Sequence, residues 1–199
     1  MKVNLEKTFP MPVPADAAWR FLQDIEAVAA CMPGAKITER VDGTHYKGMV
    51  TSRVGPATLS FNGTIEVLEV DPASMKVRMV GKGTDRSGSS GASMDLTARI
   101  ETADADKSNL IGSSEVSMTG KAATFGGRMI VPVAEQILKQ FAGNFAKRVQ
   151  ESISEGPAQR ETETRMPGAA APETSLNALG LLWSVIKDAV RRLLGKKPG

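Results

Sequence analysis

The sequence predicts an α+β fold: a curved antiparallel sheet of about seven strands, two short helices after the first strand, and one long helix across the sheet's dry face. Three observations carry this. Apolar residues alternate with period two through most of the stretch from Ala35 to Met118. The apolar set then switches to helical spacing from about Phe125 to Ile153, and at Glu155 the composition breaks into a segment without any apolar period.

The elements follow in order. Val3-Asn4-Leu5-Glu6-Lys7-Thr8-Phe9 alternates and stops at Pro10, as a strand should. Pro14 opens a short helix over Ala15 to Leu22, since proline is favoured at a helix start. A second short helix runs from about Ile25 to Met32 and is stopped by Pro33-Gly34. The clearest strand places Ala92, Met94, Leu96, Ala98 and Ile100 on one face and Ser93, Asp95, Thr97, Arg99 and Glu101 on the other. Leu59, Phe61, Ile65 and Val67 make a second dry stripe; Met75, Val77 and Met79 make a third; Leu110, Val116 and Met118 make a less regular fourth. One dry and one wet face imply antiparallel pairing. Turn signals separate the runs at Asp42-Gly43, Gly55-Pro56, Asp71-Pro72 and Asp104 to Asn109. In the long helix, Ile130, Ala134, Ile137, Phe141, Phe145 and Val149 form one stripe, widened by Val133 and Leu138. Pro132 sits in its first turn or kinks it, and Gly156-Pro157 ends it.

The chain has 199 residues, 41% of them hydrophobic and 24% charged, which suffices for a real core and excludes wholesale disorder. No apolar run approaches the roughly 18 residues of a spanning helix. Charges occupy the start, Met1 to Lys7, where an export signal would be apolar, so no Sec export is expected. One cysteine and one histidine exclude an intramolecular disulfide, a thiolate zinc cluster and a His-pair metal site. The net charge of +3 is unevenly placed. Residues 176–199 hold five cations and one anion (+4), residues 155–175 hold two arginines and four glutamates (−2), and residues 1–154 therefore carry +1. Three regions result: a folded body over 1–154, a flexible linker over 155–175 with about 25 Å of reach, and a basic tail over 176–199.

Few residues point to covalent chemistry. Gly81-Lys82-Gly83-Thr84-Asp85-Arg86-Ser87-Gly88-Ser89 has neither GxGxxG spacing nor Gly-Lys-Ser/Thr, and reads as a mobile loop between two strands rather than a nucleotide site. His45 begins a strand beside a turn and reads as a solvated side chain before a general base. Cys31 lies in an apolar helix before Pro-Gly and reads as a buried structural thiol before a nucleophile. Nucleic-acid binding is not expected: the body is nearly neutral, and its few aromatics are not interleaved with cations.

Several segments resemble a known family. Cys31-Met32-Pro33-Gly34-Ala35, Val54-Gly55-Pro56 leading into Phe61-Asn62-Gly63, Gly81-Lys82-Gly83 leading into Gly88 and Gly91, Gly120-Lys121-Ala122-Ala123-Thr124-Phe125-Gly126-Gly127-Arg128 and Gln140-Phe141-Ala142-Gly143-Asn144-Phe145 are similar to the carbon monoxide dehydrogenase G-subunit family. The similarity runs in order over roughly Met1 to Ile153. It implies a helix-grip fold (START and Bet v 1-like, SRPBCC superfamily), in which sheet and helix enclose an apolar cavity. It also implies a non-catalytic protein that accompanies an aerobic molybdenum carbon monoxide dehydrogenase or related hydroxylase and brings it to the cytoplasmic membrane.

Within such a fold the methionines gain meaning. Met49, Met75, Met79, Met94, Met118 and Met129 all fall in the sheet or on the long helix. Methionine fills irregular space, so each could pack the core; together they fit a deformable apolar pocket. Phe61, Met79, Met94, Met118, Met129, Val133, Ile137 and Phe141 are expected to line it. In the tail, Leu179, Leu182, Trp183, Ile186, Val190, Leu193 and Leu194 gather on one helical face. Lys187, Arg191 and Arg192 gather on the other, and Lys196-Lys197 follow. This pattern suits a helix lying in an anionic membrane interface, with each cation adding about 1 kcal/mol; docking on a partner or on the body is the alternative. The expected function is a peripheral protein on the cytoplasmic face of the membrane that recruits the dehydrogenase. It would hold an apolar ligand, a respiratory quinone (menaquinone or ubiquinone), with no covalent cofactor. The alternatives are a cyclase- or hydratase-type enzyme on the same fold, or a bare recruitment adaptor.

Overall fold

The computed structural model describes residues 1–154; the linker and tail expectations for 155–199 lie outside the described residues. The elements are β1 (Lys2–Met11), α1 (Ala15–Leu22), α2 (Ile25–Ala29), β2 (Ala35–Arg40), β3 (His45–Val54), β4 (Ala57–Asp71), β5 (Lys76–Asp85), β6 (Ser90–Asp104), β7 (Lys107–Gly120), a 3-10 turn (Lys121–Phe125) and α3 (Gly126–Ser154). The seven strands form one antiparallel sheet in the order β1-β7-β6-β5-β4-β3-β2. Among the described residues no helix is long and apolar enough to cross a membrane.

The alternation selects the inner face. Leu96 pairs with Met79 on one side and Ser114 on the other, and Ala98 pairs with Val77 and Gly112. Cross-strand partners share a face, so the four dry stripes point the same way. The main core sits at one end of that face. There Val67, Val77, Met79, Ala98, Ile100 and Leu110 pack with Trp19 and Leu22 of α1 and with Ala142, Phe145 and Val149 of α3. The Phe145 ring meets Phe21 edge-on at 5.1 Å.

Local details depart from the alternation rules for identifiable reasons. β1 runs through Pro10 to Met11 because it is an edge strand, where alternate N–H groups meet no second neighbour. α2 ends at Ala29 rather than Met32. The N–H groups of Cys31 and Met32 reach back three residues, to the carbonyls of Val28 and Ala29, so the chain tightens before Pro33. β5 continues through Gly81 and Gly83, leaving only 86–89 as the turn. Gly83 belongs to a row across the sheet, with Gly63 paired to Gly48 on one side and to Gly83 on the other. A Cβ built on Gly63 would lie 2.1 Å from the Lys82 carbonyl oxygen, so the strands approach there more closely than any side chain allows. Pro132 lies inside α3, and the Arg128 carbonyl loses its helical donor there.

Candidate functional site

Two buried zones on the inner face leave a wetter belt between them. Beyond the main core, Val54, Phe61, Ala122 and Ile130 are buried separately at the opposite end. Between the zones, Met94, Val116 and Met118 of the sheet and Val133 and Ile137 of α3 are only half-buried. Apolar side chains on the concave side of a sheet, under a helix, ordinarily bury fully. A half-buried set marks space that packing has left open.

Beside Val133 and Ile137 lies a groove of about 310 Å³, at the lower end of the ~300–1,000 Å³ typical of ligand pockets. α3 contributes Val133, Gln136, Ile137 and Gln140, which recur at i, i+3, i+4 and i+7 and so share one helix face. The other wall is Pro33-Gly34 and Thr51-Ser52-Arg53. Apolar residues and side-chain amides therefore alternate along the helix wall; opposite them Ser52 shares the inner face with its partner Leu59, while Thr51 and Arg53 point to the other face, where the Thr51 hydroxyl meets Ser60 Oγ at 3.0 Å. Among these lining residues there is no carboxylate, imidazole or thiol. A larger hollow of about 570 Å³ lies against Glu69, Lys76, Arg78, Asp95 and Glu115. Its walls are ion-paired, Lys76 to Glu69 at 2.9 Å and Arg78 to Asp95 at 2.9 Å. A charged trough open to water does not suit an apolar ligand, so the smaller groove is the candidate site.

The eight residues expected to line a pocket divide by place. Val133 and Ile137 line the groove. Met94 and Met118 are in the half-buried belt. Phe61 belongs to the separate buried zone at the groove's end of the sheet, Met79 is buried in the main core and Phe141 packs against that core. Met129 is 39% exposed, and its Cε lies 3.0 Å from where a Gly55 Cβ would be, so the first turn of α3 sits over the β3–β4 turn. Sequence reasoning did not find the polar wall of Thr51, Ser52, Arg53, Gln136 and Gln140. The available signal was the two glutamines interrupting the apolar stripe of α3.

Other contacts hold α3 above the sheet. Lys7, on the inner face of β1, donates to Glu135 at 2.7 Å. Asn144 donates to the Cys31 carbonyl at 2.9 Å, tying the helix to the stretch before β2. Cys31 itself is fully buried, and burial pushes its thiol pKa up, which keeps it protonated and unreactive. His45 is exposed, with Nδ1 2.9 Å from Asp42 Oδ2, at the opposite end of β3 from the groove residues Thr51 to Arg53.

At the far end of the sheet the β5–β6 turn anchors the helix start. The Ala122 N–H donates to Ser90 Oγ at 3.0 Å, and the Lys121 N–H donates to the Ser89 carbonyl at 3.1 Å. Asp85 organises that turn by accepting from the Ser87 hydroxyl at 2.7 Å, the Ser90 N–H at 3.0 Å and the Ser89 hydroxyl at 3.0 Å. These bonds, the Ser87 hydroxyl foremost, hold its carboxyl below the ordinary carboxylate range. A depressed folded-state pKa gives stability that is present above the unfolded value of about 4 and lost as pH falls through the folded value. Asp85→Ala should remove that acid-side loss and raise amide exchange at Ser90 severalfold at neutral pH. Unchanged Ser90 protection by NMR would show that the carboxylate does not organise the turn.

The comparisons with known proteins agree with this architecture. Residues 8–150 match the family of the carbon monoxide dehydrogenase G subunit (CoxG). No curated protein matches the chain in sequence. Among solved structures, a conserved protein from Geobacillus kaustophilus is similar at TM-score 0.68 and 19% identity, covering 75% of this chain and 97% of its own. The Zhui aromatase/cyclase from Streptomyces sp. R1128 is similar at TM-score 0.58 and 17% identity, covering 78% and 99%. A START superfamily protein from Mycobacterium smegmatis is similar at TM-score 0.52 and 16% identity, covering 75% and 98%. At such identities the likeness is one of fold, and it is the START-type helix-grip fold.

Proposed function

The chain belongs to the CoxG family, that of the carbon monoxide dehydrogenase G subunit, and from that membership we propose that it is an accessory protein of such a dehydrogenase, tethered to the cytoplasmic face of the membrane, which takes up an apolar ligand between sheet and helix. The family description supports the role beside that enzyme. The observation that carries ligand binding is the half-buried apolar belt of Met94, Val116, Met118, Val133 and Ile137, whose two helix members also line an open groove.

A respiratory quinone, menaquinone or ubiquinone, is the ligand that fits this surface and that partner. Oxidising carbon monoxide with water to carbon dioxide releases two electrons and two protons, which is what reducing one quinone to its quinol takes up. The quinone's polyprenyl chain suits unbranched methionines that repack around irregular shapes. Its two carbonyl oxygens need donors, which the amides of Gln136 and Gln140 and the hydroxyl of Ser52 could supply. The groove offers no acid or base of the kind a cyclase or hydratase uses, so transport, not catalysis, is its proposed role. Phe61 would then frame the site from one buried end and Met79 and Phe141 from the other, with the exposed Met129 at its rim. The tail, residues 176–199, is proposed as the membrane anchor.

The test uses the purified full-length protein and a Leu182→Glu/Ile186→Glu variant. Organic extracts of the former should contain isoprenoid quinone in stoichiometric amount by mass spectrometry. The variant should shift from the membrane to the soluble fraction while keeping the urea midpoint of the body. Clean extracts, with no uptake of added quinone, would refute the carrier role. Undiminished membrane association of the variant would refute the tail as anchor.

A further inference from the structure

The near-neutral charge of the body conceals a bipolar distribution. The register of the sheet brings the β3–β4 turn, the β5–β6 turn and the carboxyl end of β7 to one end of the molecule. α3 starts there as well, with Met129 over Gly55 and Lys121 bonded to Ser89. The segments that build this end, residues 50–62, 80–94 and 116–134, contain five cations, Arg53, Lys82, Arg86, Lys121 and Arg128, and one anion, Asp85. The net is 5 − 1 = +4. All five cations are exposed, and none forms an ion pair among the described residues. The bordering acids are already taken: Glu115 by Lys2, Glu135 by Lys7 and Asp95 by Arg78.

The opposite end has the reverse sign. Its three sheet turns, with the strand ends that flank them, carry Asp42, Asp71, Asp104 and Asp106 against Arg40, Lys76 and Lys107, a net of 3 − 4 = −1. Hydrogen bonds inside the turns hold the Asp42 and Asp71 carboxyls below the usual range, so both stay ionised at any physiological pH.

Apolar side chains sit among the cations. Met129 is 39% exposed and Val50 38% exposed, and Pro56 at the turn tip is exposed. Cations surrounding a few exposed apolar tips match an anionic lipid surface, which attracts the charge and accepts the tips at headgroup depth. This end also holds the groove wall residue Arg53. We infer that the body itself docks on anionic membranes through this end, Arg53, Arg86, Lys121 and Arg128 meeting lipid headgroups with Met129 and Pro56 inserted, so that the groove opens against the bilayer and the acidic turns point away. The inference rests on the membrane-tether reading above, but it assigns the folded body a contact separate from the tail.

The test uses the full chain. Cys31 is fully buried, so a thiol-reactive, polarity-sensitive fluorophore goes to an introduced cysteine, Pro56→Cys at the basic end or Asp106→Cys at the acidic end. Each labelled protein is mixed with vesicles of phosphatidylcholine alone or with about 30% phosphatidylglycerol, and sedimentation is read in parallel with emission. On anionic vesicles the label at 56 should brighten severalfold and shift to the blue, while that at 106 stays unchanged. Arg53→Glu/Arg86→Glu/Arg128→Glu should reduce the response at 56 by roughly tenfold or more without preventing sedimentation through the tail. A chain that sediments while the label at 56 stays in water would overturn the docking surface and leave the tether standing. Equal responses at 56 and 106 would overturn the orientation. No sedimentation at all would overturn both readings. A response at 56 only when dehydrogenase is added would reassign the basic end to a protein interface and overturn lipid docking.

Discussion

Replacing Phe145 with alanine should lower the stability of the body by about 3–5 kcal/mol, the largest loss expected of any single large-to-small change in this chain. Phe145 is fully buried, meets Phe21 edge-on with ring planes 89° apart, and has Phe141 beside it at 5.9 Å. The α1–α3 junction therefore depends on one ring that touches both helices, and truncating it leaves a cavity that neighbours on two rigid elements cannot collapse to fill. Urea denaturation should show a lower midpoint with little change in slope. Phe141→Ala, at a half-buried position, should cost clearly less. Equal losses at the two positions would mean that α3 is held by its whole stripe and not clamped at its second half. The functional consequence follows from the division of the inner face. With the second half of α3 packed into the core, the first half can border an open groove without unfolding.

The second large effect is expected at Gly34. Its φ is +76°, and a Cβ built there would lie 2.0 Å from the Thr51 carbonyl oxygen. The Gly34 carbonyl also accepts the Thr51 N–H at 2.9 Å, so the two backbones cannot separate without losing that bond. Gly34→Ala combines left-handed strain of about 1–2 kcal/mol with an overpacking cost of about 1–3 kcal/mol. The sum is roughly 2–5 kcal/mol by urea denaturation. Gly43→Ala is the matched control, because nothing lies within 4 Å of its Cβ, and it should be nearly neutral. Because Gly34 and Thr51 both line the groove, the variant should also weaken uptake of quinone by more than its folding loss alone explains. A Gly34→Ala protein as stable as the parent would show that the β2 start can shift away from β3.

The residues that were readable in the chain, and those that were not, divide along physical lines. The four dry stripes were legible because strand geometry forces every second side chain to one face, whatever the partner strand. The stripe of α3 was legible for the same local reason. Cys31 was readable as a buried thiol from the apolar run before Pro-Gly, although it lies in the turn after α2 and not in the helix. The path of β1 through Pro10 was not, since only position at the sheet edge makes a missing N–H harmless there. Gly81 and Gly83 read as a loop because isolated glycines signal turns. Their pairing, Gly83 with Gly63 at close approach and Gly81 with Ile65, exists only once β4 and β5 are side by side. Met79 and Met94 belong to similar stripes, yet one is buried in the main core and the other half-buried. Periodicity assigns a face but not a position along the groove.

The charge pattern repeats that division at the scale of the whole body. The α+β class, the strand and helix stripes, the family resemblance and the net charge are all legible in the chain, because each is set by local spacing or by simple addition. Tertiary structure alone decided which cations share an end, which glycines touch, and which apolar side chains the two buried zones leave half-open. Those depend on strand register and on where α3 lies over the sheet, and both are settled by contacts between residues distant in the chain.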